Sequence, residues 1–284
     1  MSLTKKLYQK LRYGLIERHF YYLTSSVRVL PNFFVIGPGR TGTTSLYHYL
    51  DQHPCITKSA YDELGYFDDN FHLGLNWYRS LFPTKFMQKK IESEYKKFLT
   101  YDVTPFYIYN PLVVDRIFKF SPNAKIIAAL RNPIDRAYSN YNNRMQDEGD
   151  TKTTFEEIIN AEIEIIEKNK KNIDDYAFLV NTFYELLLAR GFYAKQLEFW
   201  FKKFPRKNIL LISSEELATN TDKTVSEIFE FLEVPIQKIS DLTKQNVIKY
   251  PKMKDSTREI LINFFKPYNE ELFDMIGSKF DWDK

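Results

Sequence analysis

Short runs of consecutive apolar residues alternate along the chain with longer segments in which apolar residues recur every three or four positions. The first run, at 33–36, ends at Gly37, and three further strand candidates, which are not apolar at every position, follow at 98–103, 125–130 and 208–212. A run that is apolar throughout is typical of a strand buried on both faces, whereas the spacing of three or four is typical of a helix that buries one face. The alternation predicts an α/β fold in three layers, with a central parallel sheet flanked by helices.

The helical segments fill the intervals around these strands. We expect helices at 43–52, 111–120, from 133 onward, 154–169, 180–203, 223–232 and 256–265. Pro133 suits the first turn of a helix, where its missing backbone N–H would have no partner in any case. Residues 58–83 show neither pattern, which predicts a long irregular segment, and such segments in compact domains are usually functional.

The composition favours one folded domain. The 284 residues are 44% hydrophobic and 17% aromatic, which is enough to form a substantial core. We assign 31–284 to this domain and 1–30 to a basic, helical N-terminal extension, which carries six Lys or Arg residues against Glu17. The extension is expected to be a solvated helix on the flank of the domain, and weak contact with an anionic membrane surface is the alternative.

Charge and cysteine content exclude several classes of function. A net charge of +3 is too small to indicate a nucleic-acid partner, although it allows local basic pockets for a small anion. Cys55 is the sole cysteine, so neither an intrachain disulfide nor a cysteine-based zinc site can form. No stretch has the roughly 20 apolar residues of a membrane span. We therefore expect a cytoplasmic protein, with peripheral attachment at the inner membrane face as the alternative.

The segment GPGRTGTT at 37–44 lies between a predicted strand and a predicted helix. Backbone N–H groups and the positive end of a helix dipole can hold an anion in that setting. Gly37 and Gly42 keep the spacing of a nucleotide-triphosphatase loop, but Thr43 stands where such a loop has its lysine. A basic residue, Arg40, lies within the loop instead and can neutralise charge on a leaving phosphate. The predicted anion ligands are Gly39, Arg40, Thr41, Gly42, Thr43 and Thr44.

A second anion site is predicted after the run 125–130. Arg131 comes at the carboxyl end of that strand, where open parallel sheets bind ligands, and Ser139 follows about two helical turns later. A triphosphatase more often has an acid at such a strand end to organise magnesium. On these two residues alone, a salt-bridged arginine and a surface serine would be the default interpretation, and the loop at 37–44 is what favours a second anion site.

Six segments, taken in order, resemble the sulfotransferases that use 3′-phosphoadenylyl sulfate (PAPS), in particular the heparan sulfate glucosaminyl 3-O-sulfotransferases and their Golgi relatives. They are GPGRTGTTSLYHYLDQHP, DELGYFD, GLNWYRSLFP, TPFY, ALRNPIDRAYSNY and FDWDK, and they extend from about residue 32 to the C-terminus. The resemblance implies a P-loop-like fold and the transfer of a sulfuryl group from PAPS to a hydroxyl, with a carbohydrate as the expected acceptor and no metal.

The resemblance also implies roles for individual residues. Arg40 matches the loop lysine that contacts the transferring sulfate, and Arg131 and Ser139 match the ligands of the 3′-phosphate. Glu63 matches the carboxylate that acts as catalytic base. Without the resemblance, Glu63 is one of 37 acids and would be interpreted as a solvated surface residue.

Four further residues are expected around the two substrates. Lys249 and Tyr250 are similar in position to the family's late loop over the nucleotide, and Asp68 matches an acid near the acceptor. Trp77 could stack on a sugar ring, since aromatic faces do this well, and packing in the core is the alternative.

Two positions depart from the family pattern. Gly65 stands where the family group often has a histidine, and Val103 stands where it has a lysine. Both lie on the acceptor side, so they bear on the acceptor more than on sulfuryl transfer. Two other functions stay open: an ATP-dependent P-loop phosphotransferase, favoured by the spacing of Gly37 and Gly42, and a non-catalytic nucleotide-binding protein, favoured by the two departures.

Overall fold

A parallel sheet lies at the centre of the computed structural model, which describes residues 21–148, 153–172, 178, 185–245 and 250–282. In this part of the chain the sheet has five strands in the order β2-β3-β1-β4-β5. They are β1 (Phe33–Val35), β2 (Ile56–Lys58), β3 (Leu99–Val103), β4 (Lys125–Leu130) and β5 (Ile209–Ser213). The chain continues from β1 to one side of the sheet and later to the other, so the carboxyl end of β1 is the position where such sheets bind ligands.

Helices cover both faces of this sheet. Within the described ranges they are α1 (Thr43–Leu50), α2 (Gly74–Ser80), α3 (Lys85–Tyr95), α4 (Pro111–Phe120), α5 (Pro133–Glu148), α6 (Phe155–Lys168), α7 (Tyr193–Lys203), α8 (Ser214–Thr219), α9 (Thr221–Leu232) and α10 (Asp255–Ile276). The side chains of β1 alternate between two buried clusters: Phe34 packs with Trp200 in the larger cluster, and Phe33 packs with Phe229 in the smaller one. The predicted three-layer fold with a doubly covered parallel sheet is therefore confirmed.

The structure also differs from the predicted elements in several places. The pattern misses β2, which has three residues, and α3, none of whose residues is fully buried. It also misses α8, a short helix that follows β5 without a break. Residues 58–83 are not wholly irregular, because α2 lies within them, and α10 continues past Pro267 to Ile276.

The predicted N-terminal extension is described only in part, since residues 1–20 lie outside the described ranges. From residue 21 the chain lies against the domain. The turn Ser25–Val27 contacts α2, and Arg28 forms an isolated antiparallel bridge with Thr84. No helix in the ranges described above is both long and apolar enough to cross a bilayer.

Candidate active site

A cleft of about 560 Å³ opens at the carboxyl edge of the sheet. Its volume is typical of pockets that bind small molecules. Most of the predicted site residues line it: Gly39, Arg40, Gly42, Thr43, Thr44, Glu63, Arg131, Ser139 and Tyr250. The tertiary structure therefore brings the loop at 37–44, the end of β4 and the turn after β2 to one place.

Two glycines shape the loop after β1. Gly37 has a φ of +100°, and a Cβ atom at this position would lie 2.0 Å from the carbonyl oxygen of Pro105. Gly42 has a φ of +87° and immediately precedes α1. Only glycine adopts such backbone angles without a steric penalty. Consequently α1 begins at the edge of the cleft, where the backbone N–H groups of its first turn are available to an anion.

Arg40 connects the two predicted anion sites. Its Nε donates to Ser139 Oγ over 3.3 Å, and its carbonyl oxygen accepts a hydrogen bond from Arg131 Nη1 at 3.0 Å. The sites are thus not separate features, because the side chains of both lie in contact along one basic surface.

Contacts from α7 and the cap of α5 hold Arg131 and Ser139 in place. The Tyr193 hydroxyl donates to the Arg131 carbonyl oxygen at 2.8 Å. Asn132 caps the helix, since its Oδ1 accepts from the backbone N–H of Ile134 at 3.0 Å. Ser139 then lies along the same helix with only 3% of its surface exposed.

Glu63 lies in the turn that follows β2, and its backbone N–H donates to the Val103 carbonyl oxygen at 2.7 Å. The side chain is accessible to solvent from the cleft. Protein nevertheless surrounds much of the carboxyl group, and this burial raises its pKa; the Asp62 charge raises it further, while the Arg40 charge lowers it. Accessibility decides whether an acceptor can reach Glu63, and the raised pKa makes its carboxylate a better proton acceptor.

Arg40 and Glu63 share an uncommon backbone conformation. Their φ angles are +71° and +55°. Among the described residues, the other non-glycine residues with positive φ are Lys96 and Glu233, which end α3 and α9, where this conformation is ordinary. Arg40 and Glu63 do not end helices, so the surrounding structure must hold them in a conformation that is frequent at functional sites.

The two departures from the family pattern have structural consequences. Gly65 has a φ of +58°, and a Cβ there would approach Asp68 Oδ1 at 3.1 Å. A histidine would therefore strain this turn. Val103 is buried to 1% exposure in the smaller core cluster and does not line the cleft.

Several predicted ligands are not presented to the cleft. Thr41 is fully buried and its hydroxyl donates to the Pro38 carbonyl oxygen at 2.6 Å, so the loop itself uses the hydroxyl that was expected to bind the ligand. Asp68 accepts from the Asp69 backbone N–H at 2.7 Å and is not part of the described cleft lining. Trp77 is 5% exposed and packs in the larger core cluster, so it offers no open face to a sugar.

The predicted late loop is described in part, because Lys249 lies outside the described residues. Tyr250 lines the cleft, with its ring 5.4 Å from that of Tyr138. Lys244 also lines the cleft. Gln245, the next residue, is fixed to α1, since its backbone N–H donates to Ser45 Oγ at 2.9 Å. These residues therefore form one wall of the cleft.

An aromatic wall that sequence analysis did not identify lines the cleft as well. Phe106 is 46% exposed, and Tyr109 lies beside it with a ring-centroid distance of 6.1 Å. The Arg190 guanidinium lies 5.5 Å from the centroid of each ring, and burial lowers the pKa of this group. Phe106 belongs to the TPFY segment, so the motif could have indicated it as a site residue. No local sequence pattern indicates Arg190.

The charge of the cleft favours an anion. Its lining includes the cations Arg40, Arg131, Arg136, Arg190 and Lys244 and the acids Glu63, Asp135 and Glu215. Asp135 pairs with Arg258, and Glu215 accepts from the Asn132 N–H at 2.8 Å. Within the described ranges, no group of three or more His, Cys, Asp or Glu residues is arranged to hold a metal ion.

Curated proteins with similar sequences are sulfotransferases by name. The chain is 28% identical to the membrane-associated sulfotransferase kil1 of Dictyostelium discoideum, over 89% of this chain and 66% of that protein. It is also 28% identical to the human bifunctional heparan sulfate N-deacetylase/N-sulfotransferase 3, over 86% of this chain and 29% of that protein. The chain thus spans just under two thirds of the first relative and less than a third of the second.

The similarity to kil1 contradicts the expected cytoplasmic location, because kil1 is described as membrane-associated. That expectation depended on Cys55, which is buried. A domain with a core of this size does not need a disulfide, so the lack of one does not report the compartment. The alternative for the N-terminal extension, weak contact with a membrane surface, has no support, and residues 1–20 lie outside the described ranges.

A solved structure and a family model also identify the chain as similar to sulfotransferases. The sulfotransferase from Alicyclobacillus acidocaldarius superposes with a TM-score of 0.68 at 27% identity, over 90% of this chain and 100% of that one. The family model of the sulfotransferase domain matches residues 30–282, which include every element of the cleft described above. This chain belongs to the sulfotransferase family.

Proposed function

We propose that the protein transfers a sulfuryl group from PAPS to an acceptor, and that a carbohydrate hydroxyl is the acceptor group. One observation carries the proposal: an accessible carboxylate, Glu63, shares a cleft with the joined anion-binding side chains of Arg40, Arg131 and Ser139. A sulfuryl donor requires the basic part, and a hydroxyl acceptor requires the base.

The donor would bind along the basic surface. The first turn of α1 and Arg40 suit the 5′-phosphosulfate, and Arg131 and Ser139 suit the 3′-phosphate. Charge-assisted hydrogen bonds of this kind are about twice as strong as neutral ones. Thr43 replaces the lysine that a triphosphatase needs, which favours PAPS over ATP as the nucleotide.

The reaction would be an in-line displacement at sulfur. The acceptor oxygen bonds to sulfur while the bond from sulfur to the 5′-phosphate oxygen breaks, and adenosine 3′,5′-bisphosphate leaves with that electron pair. Glu63 takes the proton of the acceptor hydroxyl. Arg40 neutralises the negative charge that develops on the leaving phosphate.

The aromatic wall favours an acidic sugar as acceptor. Phe106 and Tyr109 present ring faces and edges, which suit a sugar ring, and Arg190 suits a carboxylate or sulfate on that sugar. The relative named as a heparan sulfate N-sulfotransferase gives a second candidate acceptor atom, the amino nitrogen of a glucosamine.

The test is a turnover assay with PAPS and two heparan-backbone oligosaccharides, one fully N-acetylated and one with free amino groups. Mass spectrometry with fragmentation would detect the added sulfuryl group and locate it on oxygen or nitrogen. We expect product on oxygen with the N-acetylated acceptor, formed roughly 10²–10³-fold more slowly by Arg40→Ala. Binding of adenosine 3′,5′-bisphosphate without turnover on any acceptor would favour the non-catalytic alternative. Phosphorylated product from magnesium-ATP would favour the phosphotransferase.

A further inference from the structure

Asp102 on β3 is completely buried, although it carries a carboxylate. Three hydroxyl groups donate to it: Thr104 at 2.7 Å, Tyr78 at 2.8 Å and Tyr107 at 3.0 Å. A buried carboxylate is tolerated only when hydrogen bonds satisfy its oxygens. An ionised carboxylate accepts and never donates, so it determines where all three hydroxyl protons point.

Two of these hydroxyls also bind the turn that carries Glu63. Thr104 Oγ1 accepts from the Gly65 backbone N–H at 3.3 Å, and Tyr107 Oη accepts from the Phe67 backbone N–H at 3.1 Å. A hydroxyl has one proton, and when that proton is directed to Asp102 its lone pairs remain for an amide N–H. The carboxylate therefore keeps both hydroxyls in the acceptor state that the turn requires.

The turn needs such support because of its backbone. Glu63 has a φ of +55° and Gly65 a φ of +58°. The left-handed conformation costs a non-glycine residue roughly 1–2 kcal/mol, so neighbouring contacts must maintain it. Three of its backbone N–H groups donate to the neighbouring structure, Glu63 to the Val103 carbonyl oxygen and the other two to Thr104 and Tyr107. Its carbonyl oxygens accept from Asn70 and Arg116, so the two hydroxyls are the side-chain acceptors among these contacts.

We propose that Asp102 is a positioning residue: by orienting the Thr104 and Tyr107 hydroxyls it holds the turn at 63–67 so that the Glu63 carboxylate faces the cleft. This inference rests on the proposed function of Glu63 as base. Asp102 is not part of the described cleft lining, and it acts on the reaction through the two hydroxyls.

Thr104 gives the sharpest test, because two substitutions separate shape from hydrogen bonding. Thr104→Val keeps the shape and removes the hydroxyl, whereas Thr104→Ser keeps the hydroxyl. Tyr101→Phe is the matched control. Tyr101 lies next to Asp102 on β3 and is equally buried, but its hydroxyl donates to the Tyr47 carbonyl oxygen at 2.8 Å on the other face of the sheet. Asp102→Asn is a further variant, since its amide must donate to at least one hydroxyl.

Two measurements are made on each variant. In Thr104→Val, amide exchange in the peptide covering 61–70 should become at least about tenfold faster, because the Gly65 N–H loses its acceptor. The kcat should fall by up to about 10²-fold, the loss expected when a catalytic group is misplaced by about 1 Å. The Kd of adenosine 3′,5′-bisphosphate should not change. Thr104→Ser and Tyr101→Phe should resemble the wild type, and Asp102→Asn should resemble Thr104→Val.

The outcomes separate this proposal from the proposed function. The positioning role would be overturned if the wild type turned over and Thr104→Val showed the same amide exchange and the same kcat as the wild type. An equal loss of kcat in Thr104→Val and Tyr101→Phe, without rescue by Thr104→Ser, would also overturn it, because the effect would then be one of general stability. Absence of wild-type turnover would refute the proposed function, and amide exchange would still show whether the Thr104 hydroxyl holds the turn.

Discussion

Asp102 should make the folded state less stable as pH rises through the weakly acidic range. Burial raises the pKa of this carboxyl from 3.8 to about 6, against the opposing effect of hydrogen bonds from Thr104, Tyr78 and Tyr107. Between these two values the native protein retains a proton that the unfolded chain has released. Raising the pH therefore favours unfolding, and the destabilisation is complete above the folded-state pKa.

The magnitude follows from the size of the shift. Each unit of pKa difference corresponds to about 1.4 kcal/mol, so the whole effect is about 3 kcal/mol, of which about half falls between about pH 5 and pH 8. Asp102→Asn cannot titrate and removes this dependence. Relative to the wild type, the variant should gain roughly 1–2 kcal/mol of unfolding free energy from about pH 5 to pH 8. A lost hydrogen bond of about 1 kcal/mol lowers its stability at every pH and leaves the slope unchanged.

Urea unfolding at several pH values, followed by tryptophan fluorescence, measures this difference. Trp77, Trp200 and Trp282 are all buried, so their emission reports loss of the core. The other acids with raised pKa values, such as Glu63 and Glu162, are present in both proteins and cancel in the comparison. Equal m-values would confirm that the same surface is exposed. A difference between the two proteins that does not change with pH, or that changes in the opposite direction, would refute the reasoning.

Four further predictions concern the cleft. Arg40→Ala should lower kcat by roughly 10²–10³-fold with little change in donor KM, because its charge acts mainly on the leaving phosphate; normal turnover would show that Arg40 is only a loop residue. Glu63→Gln should lower kcat by roughly 10²–10⁴-fold and remove the acidic limb of the pH–rate profile. In the wild type that limb should lie above the usual pH range for glutamate, because burial raises the pKa of Glu63. Retained activity in the variant would place the base elsewhere. Calorimetry without magnesium should show that loss of the 3′-phosphate weakens nucleotide binding to the wild type but not to Arg131→Ala, and equal affinities in the wild type would contradict the assignment. Gly37→Ala should abolish nucleotide binding and lower the melting temperature, since its Cβ would meet Pro105; wild-type affinity would contradict this.

The sequence by itself determined the features that depend on neighbouring residues. β1 and positions 126–130 of β4 are apolar because both faces of the sheet are covered, and this pattern is visible without any knowledge of the partners. The loop at 37–44 is also local, because its glycines, Arg40 and the start of α1 follow one another within eight positions. The prediction of a second anion site used similarly local information, since Arg131 follows one element and Ser139 lies on the next.

The tertiary structure alone decided which side chains face the cleft. Arg190 lies far along the chain from Phe106 and Tyr109, so only packing brings them together. Trp77 and Asp68 have side chains that suit an acceptor site. In the structure Trp77 lies in the core, and the Asp68 carboxylate accepts a hydrogen bond from the Asp69 backbone N–H. Burial and hydrogen bonding depend on contacts between residues that are distant in sequence. For that reason the sequence could name Glu63, whereas only the fold shows how Asp102, Thr104 and Tyr107 support the turn that carries it.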